Sequence, residues 1–302
     1  MTPLGRAWQR FWFEPESAIN LAAARVVFSI HALWILLSRD LAGLAALPGP
    51  FWSDLAAGTR WRYLLFPGHP AIETGLQWVA AAALVSAALG VLPRSSCLIS
   101  GLLLYHLAPL ETAFWTPAPF ERGLTISVLA LVGLACSRCG DALSFRGGAA
   151  RPSSWEYTWP LRLVQLFVCQ IYLGAGVAKL MRAGLEWASA ENLRGWLLVF
   201  NQQDQIAVFT TLGRWIADRP VLCALVAVGA LGLNLVFPLA LFSRRARPWL
   251  VAAAVAFHTG VLFAMNIAFL NLPQLLIFAD WSALGRRLSW ERGPSAAPPS
   301  AP

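Results

Sequence analysis

Apolar and polar positions divide the chain into long apolar runs broken by short polar punctuation. Runs of about 20 apolar residues are long enough to cross the hydrocarbon core of a bilayer as helices. The first run covers Ala18 to Leu37. The second covers Gly75 to Leu92, where Pro93 stops it, and the third Cys97 to Ala113. The fourth is Leu124 to Cys136, and the fifth Leu161 to Met181, with Pro160 at a favourable first-turn position. Val221 to Phe242 and Trp249 to Leu270 follow, and a weaker run from Pro273 to Leu284 is expected as a short or tilted eighth helix. None alternates in and out with the period of two that a lipid-facing strand requires. The pattern therefore predicts an all-α integral membrane protein, a bundle of about eight transmembrane helices.

Two connections carry too many aromatics to be plain loops. The segment 41–73 holds Trp52, Trp61, Tyr63 and Phe66, and the segment 182–219 holds Trp187, Trp196, Phe200 and Trp215. Both are expected as structured outer loops whose aromatics lie at the membrane interface. The domain reading is a cytoplasmic N-terminal segment over 1–17, a transmembrane domain over 18–287 and a Pro/Ala/Ser-rich disordered tail over 288–302. No soluble domain and no internal repeat is expected. Nor is a cleavable signal peptide: Arg6 and Arg10 precede Trp12, Glu14 and Glu16, and no small-residue cleavage site comes before the first span.

Composition agrees. The 302 residues are 58% hydrophobic and 13% charged, against about 25% charged in soluble domains. That leaves too little polar surface to cover a soluble globule of this size. The net charge of +8 needs no nucleic acid to explain it, since no basic face interleaved with aromatics is present. It reads instead as a sidedness signal. With the N-terminus inside, twelve arginines fall in inner segments and eight in outer ones. The positive-inside bias then places both termini in the cytoplasm of a multi-pass inner-membrane protein. The cysteines are Cys97, Cys136, Cys139, Cys169 and Cys223. Their odd number and scatter give no disulfide framework. Cys136 and Cys139 have the spacing of half a metal site, but no second Cys/His pair completes four ligands, and no metal is expected.

Lys179 is the only lysine beside 22 arginines. It ends the fifth run in the stretch Ile171-Tyr-Leu-Gly-Ala-Gly-Val-Ala-Lys179. Tyr172, Cys169 and Gln165 precede it at spacings of seven, ten and fourteen residues, which stack on one helical stripe. Gly174, Ala175 and Gly176 permit close approach of another helix or a ligand. A buried lysine can lose its proton and serve as a base, whereas arginine cannot. The competing reading is a lysine that snorkels to the outer headgroups. His258 lies mid-way along the seventh run, with Met265 on its face and Asn266 one position round, and Asn234 lies mid-way along the sixth. Polar groups at membrane depth need partners and tend to mark sites. Arg25, within the first run, should face the bundle, as a structural pair or as an anion contact. His31 and His106 read as core residues, and Glu111 as a partner for Arg122 or a wall of an outer cavity.

Four stretches carry a family resemblance. WPLRLVQLFVCQIYLGAGVAKL, followed by Trp187, resembles the fifth helix of the HTTM family, the membrane domain of vitamin K-dependent gamma-carboxylases and their bacterial relatives. AAARVVFSIHALWILLSRD with FWSD resembles its opening helix, ERGLTISVLALVGLACSRCGDALSFRG its fourth-helix region, and FHTGVLFAMNIAFLNLPQLLIF its seventh. The resemblance implies a lyase-type chemistry at the outer face. A lysine matching Lys179 deprotonates a reduced quinone, of vitamin K or menaquinone type, and O2 and CO2 are consumed as a glutamate gamma carbon is carboxylated. It implies Lys179 and His258 as catalytic residues and Tyr172 as a pocket residue. Gln165, Asn234, Met265, Asn266 and Arg25 are the further candidates for cofactor contact. The expected partners are the lipid bilayer, a quinone and a peptide or small-molecule substrate. Two departures stand out: Arg122 and Gly123 occupy the place of the family's fourth-helix Asn-His pair, and Asn234 that of an acidic residue. The alternative is a non-catalytic binder or carrier of lipid or quinone, or a maturation or immunity factor for a secreted peptide.

Overall fold

The computed structural model of the protein describes residues 2–52, 69–112, 124–145, 151–202 and 210–290, with side chains of 111, 112, 202 and 287–290 left aside. Arg122, Gly123, the side chain of Glu111, the loop aromatics Trp61, Tyr63 and Phe66, and the tail beyond 290 lie outside the described residues. Among those residues the structure is helical, apart from one antiparallel bridge between Glu16 and Ser154.

The helices are α1 (Pro3–Phe13), α2 (Ala18–Leu37), α3 (Leu41–Ala45), α4 (Pro70–Leu89), α5 (Pro93–Thr112), α6 (Thr125–Ala135) and α7 (Trp155–Ala183). A 3-10 turn, Gly184–Ala188, leads into α8 (Ala190–Gln202) and α9 (Leu212–Ala217). Then come α10 (Pro220–Val236), α11 (Leu239–Phe242), α12 (Arg247–Met265), a 3-10 segment Leu272–Phe278 and α13 (Trp281–Trp290). Ala18–Leu37, Pro70–Leu89, Trp155–Ala188 and Arg247–Met265 are long and apolar enough to cross a membrane. Thr125–Ala135 and Pro220–Val236 are apolar but shorter.

The helix bounds differ from the apolar runs by up to five or six residues at several ends, the helices of the second and third runs starting earlier and that of the seventh ending at Met265, and three departures have a local reason. The fifth run starts earlier, because Ser154 Oγ accepts the Glu156 N–H and caps α7 there. Pro160 therefore lies inside the helix rather than opening it. The sixth run breaks: α10 ends at Val236, Pro238 N-caps α11, and no single helix reaches Phe242. The last run is not one helix but the 3-10 segment, a break at Ala279, and α13.

α2 is the axis of the bundle. Leu21, Ala24, Phe28, Ala32 and Ile35 are fully or nearly fully buried, at the three-four spacing of a core-facing stripe. Around it α4, α5, α6 and α7 share one apolar core through Leu84, Leu104, Leu131 and Val164. The starts of α2 and α7 sit together at one end, joined by the Glu16–Ser154 bridge and by Thr158 Oγ1 donating to Glu14 O. α13 begins at this same end, where Asn20 Nδ2 donates to Asp280. This is called the near end below. The far end holds the close of α2, the start of α4, and the close of α7 and α12. There α8 and α9 pack on α12 through a small core of Leu197, Ala217, Cys223 and Ala264.

Arg25 illustrates how the near end is built. It is fully buried and donates to Cys139 O and Leu143 O at 2.5 Å each and to Ala142 O at 3.4 Å. One planar guanidinium thus satisfies three carbonyls of the turn that follows α6. Gly90 makes room: its φ is +71°, and a Cβ there would lie 2.6 Å from Ser144 Cα and 3.0 Å from the Arg25 guanidinium. His31 is buried with both ring nitrogens partnered, Nδ1 to Ser127 Oγ at 3.1 Å and Nε2 to Leu270 O at 2.8 Å. It ties α2 to α6 and to the segment that follows α12.

Candidate functional site

Tyr172 of α7 and His258 of α12 meet side chain to side chain at mid-depth. Tyr172 is buried, and its hydroxyl lies 2.8 Å from His258 Nε2. Its ring stacks on Phe237, centroids 3.9 Å apart, and Phe237 meets Phe278 edge-on at 5.5 Å. Phe269 lies 4.6 Å from the imidazole, ring centre to ring centre. Phe237 reaches this place because α10 has just ended; it sits at the break before Pro238.

Asn234 comes from the last turn of α10 and is buried, and Gly176 of α7 lies against it. A Cβ on Gly176 would sit 3.1 Å from Asn234 Cβ and 2.8 Å from a Leu235 methyl, so the two helices touch here only because residue 176 is glycine. Two buried polar atoms beside this contact are unsatisfied: Asn234 Nδ2 and His258 Nδ1 have no hydrogen-bond partner among the described residues. An unmade bond at a buried polar atom costs about 1–3 kcal/mol; Asn234 Nδ2 lies by Gly176, one turn along α7 from Tyr172, and His258 Nδ1 belongs to the ring that meets the Tyr172 hydroxyl.

Lys179 continues the stripe Tyr172–Gly176 towards the far end, about 10 Å beyond Tyr172 by helical rise. It is half-buried, and its Nζ stands 4.8 Å from the centre of the Trp187 ring, a cation–π contact supplied by the 3-10 turn after α7. Among the described residues no carboxylate pairs with it.

The remaining candidates lie elsewhere. Gln165 is buried in the near half, donating through Nε2 to Ile277 O at 3.0 Å and accepting from Arg162 at 3.1 Å. It stands about 21 Å from Lys179 along α7. Arg25 is committed to the carbonyls of 139–143 at the near end. Met265 packs on the small core under α8 and α9, and Asn266 ends α12 in the left-handed conformation, φ +54°. The structure thus joins Tyr172 to His258 and places Asn234 against Gly176, one turn along α7 from Tyr172, with Lys179 further on the same stripe.

Several residues around these sites escaped the sequence reading. Phe237 and Phe269 looked like ordinary apolar residues; only the Phe-Pro break hinted that 237 would turn inward. Glu73, buried in the first turn of α4, lies 3.2 Å from His106 Nε2. Arg162, a charge set within an apolar run, was the clearest signal passed over.

The profile of the HTTM domain matches residues 13–281, from the end of α1 to the start of α13. The chain belongs to the HTTM domain family. No curated protein and no solved structure is similar enough to the chain to match it. Membership and the apolar helices together make this HTTM chain a helical membrane protein. The matched span contains every residue of the Tyr172–His258–Asn234 cluster as well as Lys179. Among the described residues no group of His, Cys, Asp and Glu could hold a metal ion.

Proposed function

We propose that this protein is a quinone-linked membrane enzyme of the vitamin K-dependent carboxylase type, with Lys179 as its base. The observation that carries the reading is the pair of unsatisfied buried groups, Asn234 Nδ2 and His258 Nδ1, beside the aromatic rings of Tyr172, Phe237 and Phe269. A quinone head offers a flat ring and carbonyl oxygens, so these residues fit it: amide and imidazole as donors, aromatic faces as walls. When bound, a reduced quinone supplies, with O2 and CO2, the oxidative driving force for carboxylation.

The protein's own groups then divide the work. In this reading the Tyr172 hydroxyl donates to His258 Nε2 across their 2.8 Å contact, which orients the imidazole and leaves its proton on Nδ1 for the ligand. Asn234 orients the ligand without charge. Lys179 accepts a proton at Nζ, and the Trp187 ring stabilises the ammonium that forms. The far end, where Lys179 lies, is the outer face in this reading, and both termini are cytoplasmic.

The test is turnover of a reduced quinone with O2 and labelled CO2 by protein in lipid discs. Wild type is expected to be active. Lys179→Ala and Lys179→Arg are expected to fold but to lose about 10²–10⁴-fold, the usual contribution of a general base. Full activity in either variant would contradict the role of Lys179. A protein that binds quinone without turning it over would favour a carrier.

A further inference from the structure

A second site lies at the near end, apart from the chemistry just described and independent of it. α7, α12 and the 3-10 segment Leu272–Phe278 enclose a cavity of about 850 Å³, within the range of roughly 300–1,000 Å³ typical of small-molecule sites. Its walls along Val251, Val255 and Leu276 are apolar, whereas one end carries Arg162, Arg244 and Arg247. Val255 and Leu276 are also exposed on the outer surface of the bundle, so the cavity opens sideways where lipid would lie.

The cations are only partly used. Arg162 is 92% buried by its 8% exposure. It spends Nη1 on Gln165 Oε1 at 3.1 Å and Leu241 O at 3.4 Å, and its ring contact is Phe11 at 5.5 Å. Its Nε and Nη2 have no hydrogen-bond partner among the described residues. Arg247 donates through Nε to Ala240 O at 2.9 Å, while its Nη2 is buried and unsatisfied. The two carboxylates on the wall are occupied in their own corner. Glu16 accepts from Ser17 N–H and Asn20 Nδ2, and Asp280 from Ser282 Oγ, Ala283 N–H and Asn20 Nδ2. Arg244 pairs with Glu14 at 3.3 Å. The buried Arg162 and the half-buried Arg247 have free donors and no carboxylate in ion-pair contact among the described residues; the one charge of Glu16 nearby leaves the group of three arginines net positive, which calls for an anion. The lateral apolar opening calls for a chain. Gln165, with both amide atoms engaged, offers little to a neutral headgroup.

We propose that this cavity binds an acidic phospholipid, its phosphate held by Arg162 and Arg247 and one acyl chain laid along α12. The required chemistry is an anionic group joined to an alkyl chain. A free phosphate supplies the first alone, and a zwitterionic lipid supplies both but with its charge compensated.

Native mass spectrometry of the full-length protein, delipidated in detergent and titrated with phosphatidylglycerol or phosphatidylcholine, tests this. Phosphatidylglycerol is expected to bind at least about tenfold more tightly, and Arg162→Gln and Arg247→Gln each to weaken it about fivefold, the effect typical of one basic residue at an anionic lipid. Ala252→Trp keeps the arginines but fills the cavity; it is expected to weaken binding too, and it decides the matter if an arginine variant does not fold. Equal binding of the two lipids would overturn the proposal, as would an unchanged affinity in the variants. Displacement of the lipid by millimolar inorganic phosphate would also overturn it, since the site would then read a soluble anion.

Discussion

At the residue scale, the two most instructive positions are Arg25 and Tyr172. Arg25→Ala strands the carbonyls of Cys139, Ala142 and Leu143 inside the bundle. A destabilisation of at least about 3 kcal/mol is expected in a detergent unfolding titration, given about 1–3 kcal/mol for each buried group left unpaired. Arg25→Lys recovers only part, because a single ammonium cannot span the same fork of acceptors. Tyr172→Phe keeps the stack on Phe237 and removes the bond to His258. Side-chain hydrogen bonds within membranes average about 0.6 kcal/mol, so its stability should barely change; a double-mutant cycle with His258→Leu measures the coupling. The sequence made Arg25, His258 and Asn234 stand out because each is polar within an apolar run. It could not show what each one touches. Whether a polar group binds a ligand or a neighbouring carbonyl depends on the facing helix, and single-chain spacing says nothing about that. Arg25 turned out to serve the turn after α6, while Asn234 Nδ2 and His258 Nδ1 were left without partners among the described residues.

At the element scale, the close approach of α7 and α10 depends on Gly176. Gly176→Val inserts methyls where a Cβ alone already meets Leu235 at 2.8 Å. Overpacking of this kind costs about 1–3 kcal/mol, and the variant is expected to melt at a lower temperature and to lose any bound quinone before its helicity falls, as followed by circular dichroism during heating. The helices themselves were legible in the pattern of apolar runs; the first agrees with α2 residue for residue, Ala18 to Leu37. The misread places were the ends of runs that apolarity alone does not terminate. A Ser154 cap six residues before Pro160 and a Phe237-Pro238 break within a continuous apolar run are decided by backbone hydrogen bonding, not by hydropathy.

At the scale of the whole molecule, a latch between the first and last segments closes the near end: Asn20 Nδ2 donates to Asp280, and Ser282 N–H donates back to Asn20 Oδ1. Burial raises the Asp280 carboxyl, but hydrogen bonds from Ser282, Ala283 and Asn20 outweigh it and hold the group below its ordinary range. Folding therefore favours the charged form. The stabilisation is present above about pH 4, the unfolded value, and is lost as pH falls through the lower folded value. Thermal stability should decline below about pH 4 in wild type and less steeply in Asp280→Asn, as thermal melts across that range will show. This long-range closure was invisible in the sequence, since nothing in a hydrophobic pattern pairs residue 20 with residue 280. The central claim is that the cluster of Tyr172, His258 and Asn234 holds a quinone on which Lys179 acts. Mass spectrometry of the molecules that co-purify with wild type, Asn234→Leu with His258→Leu, and Lys179→Ala tests it most directly. The account predicts quinone on wild type and on Lys179→Ala, and none on the double variant. Wild-type protein free of quinone, or a double variant that retains it in full, would contradict it.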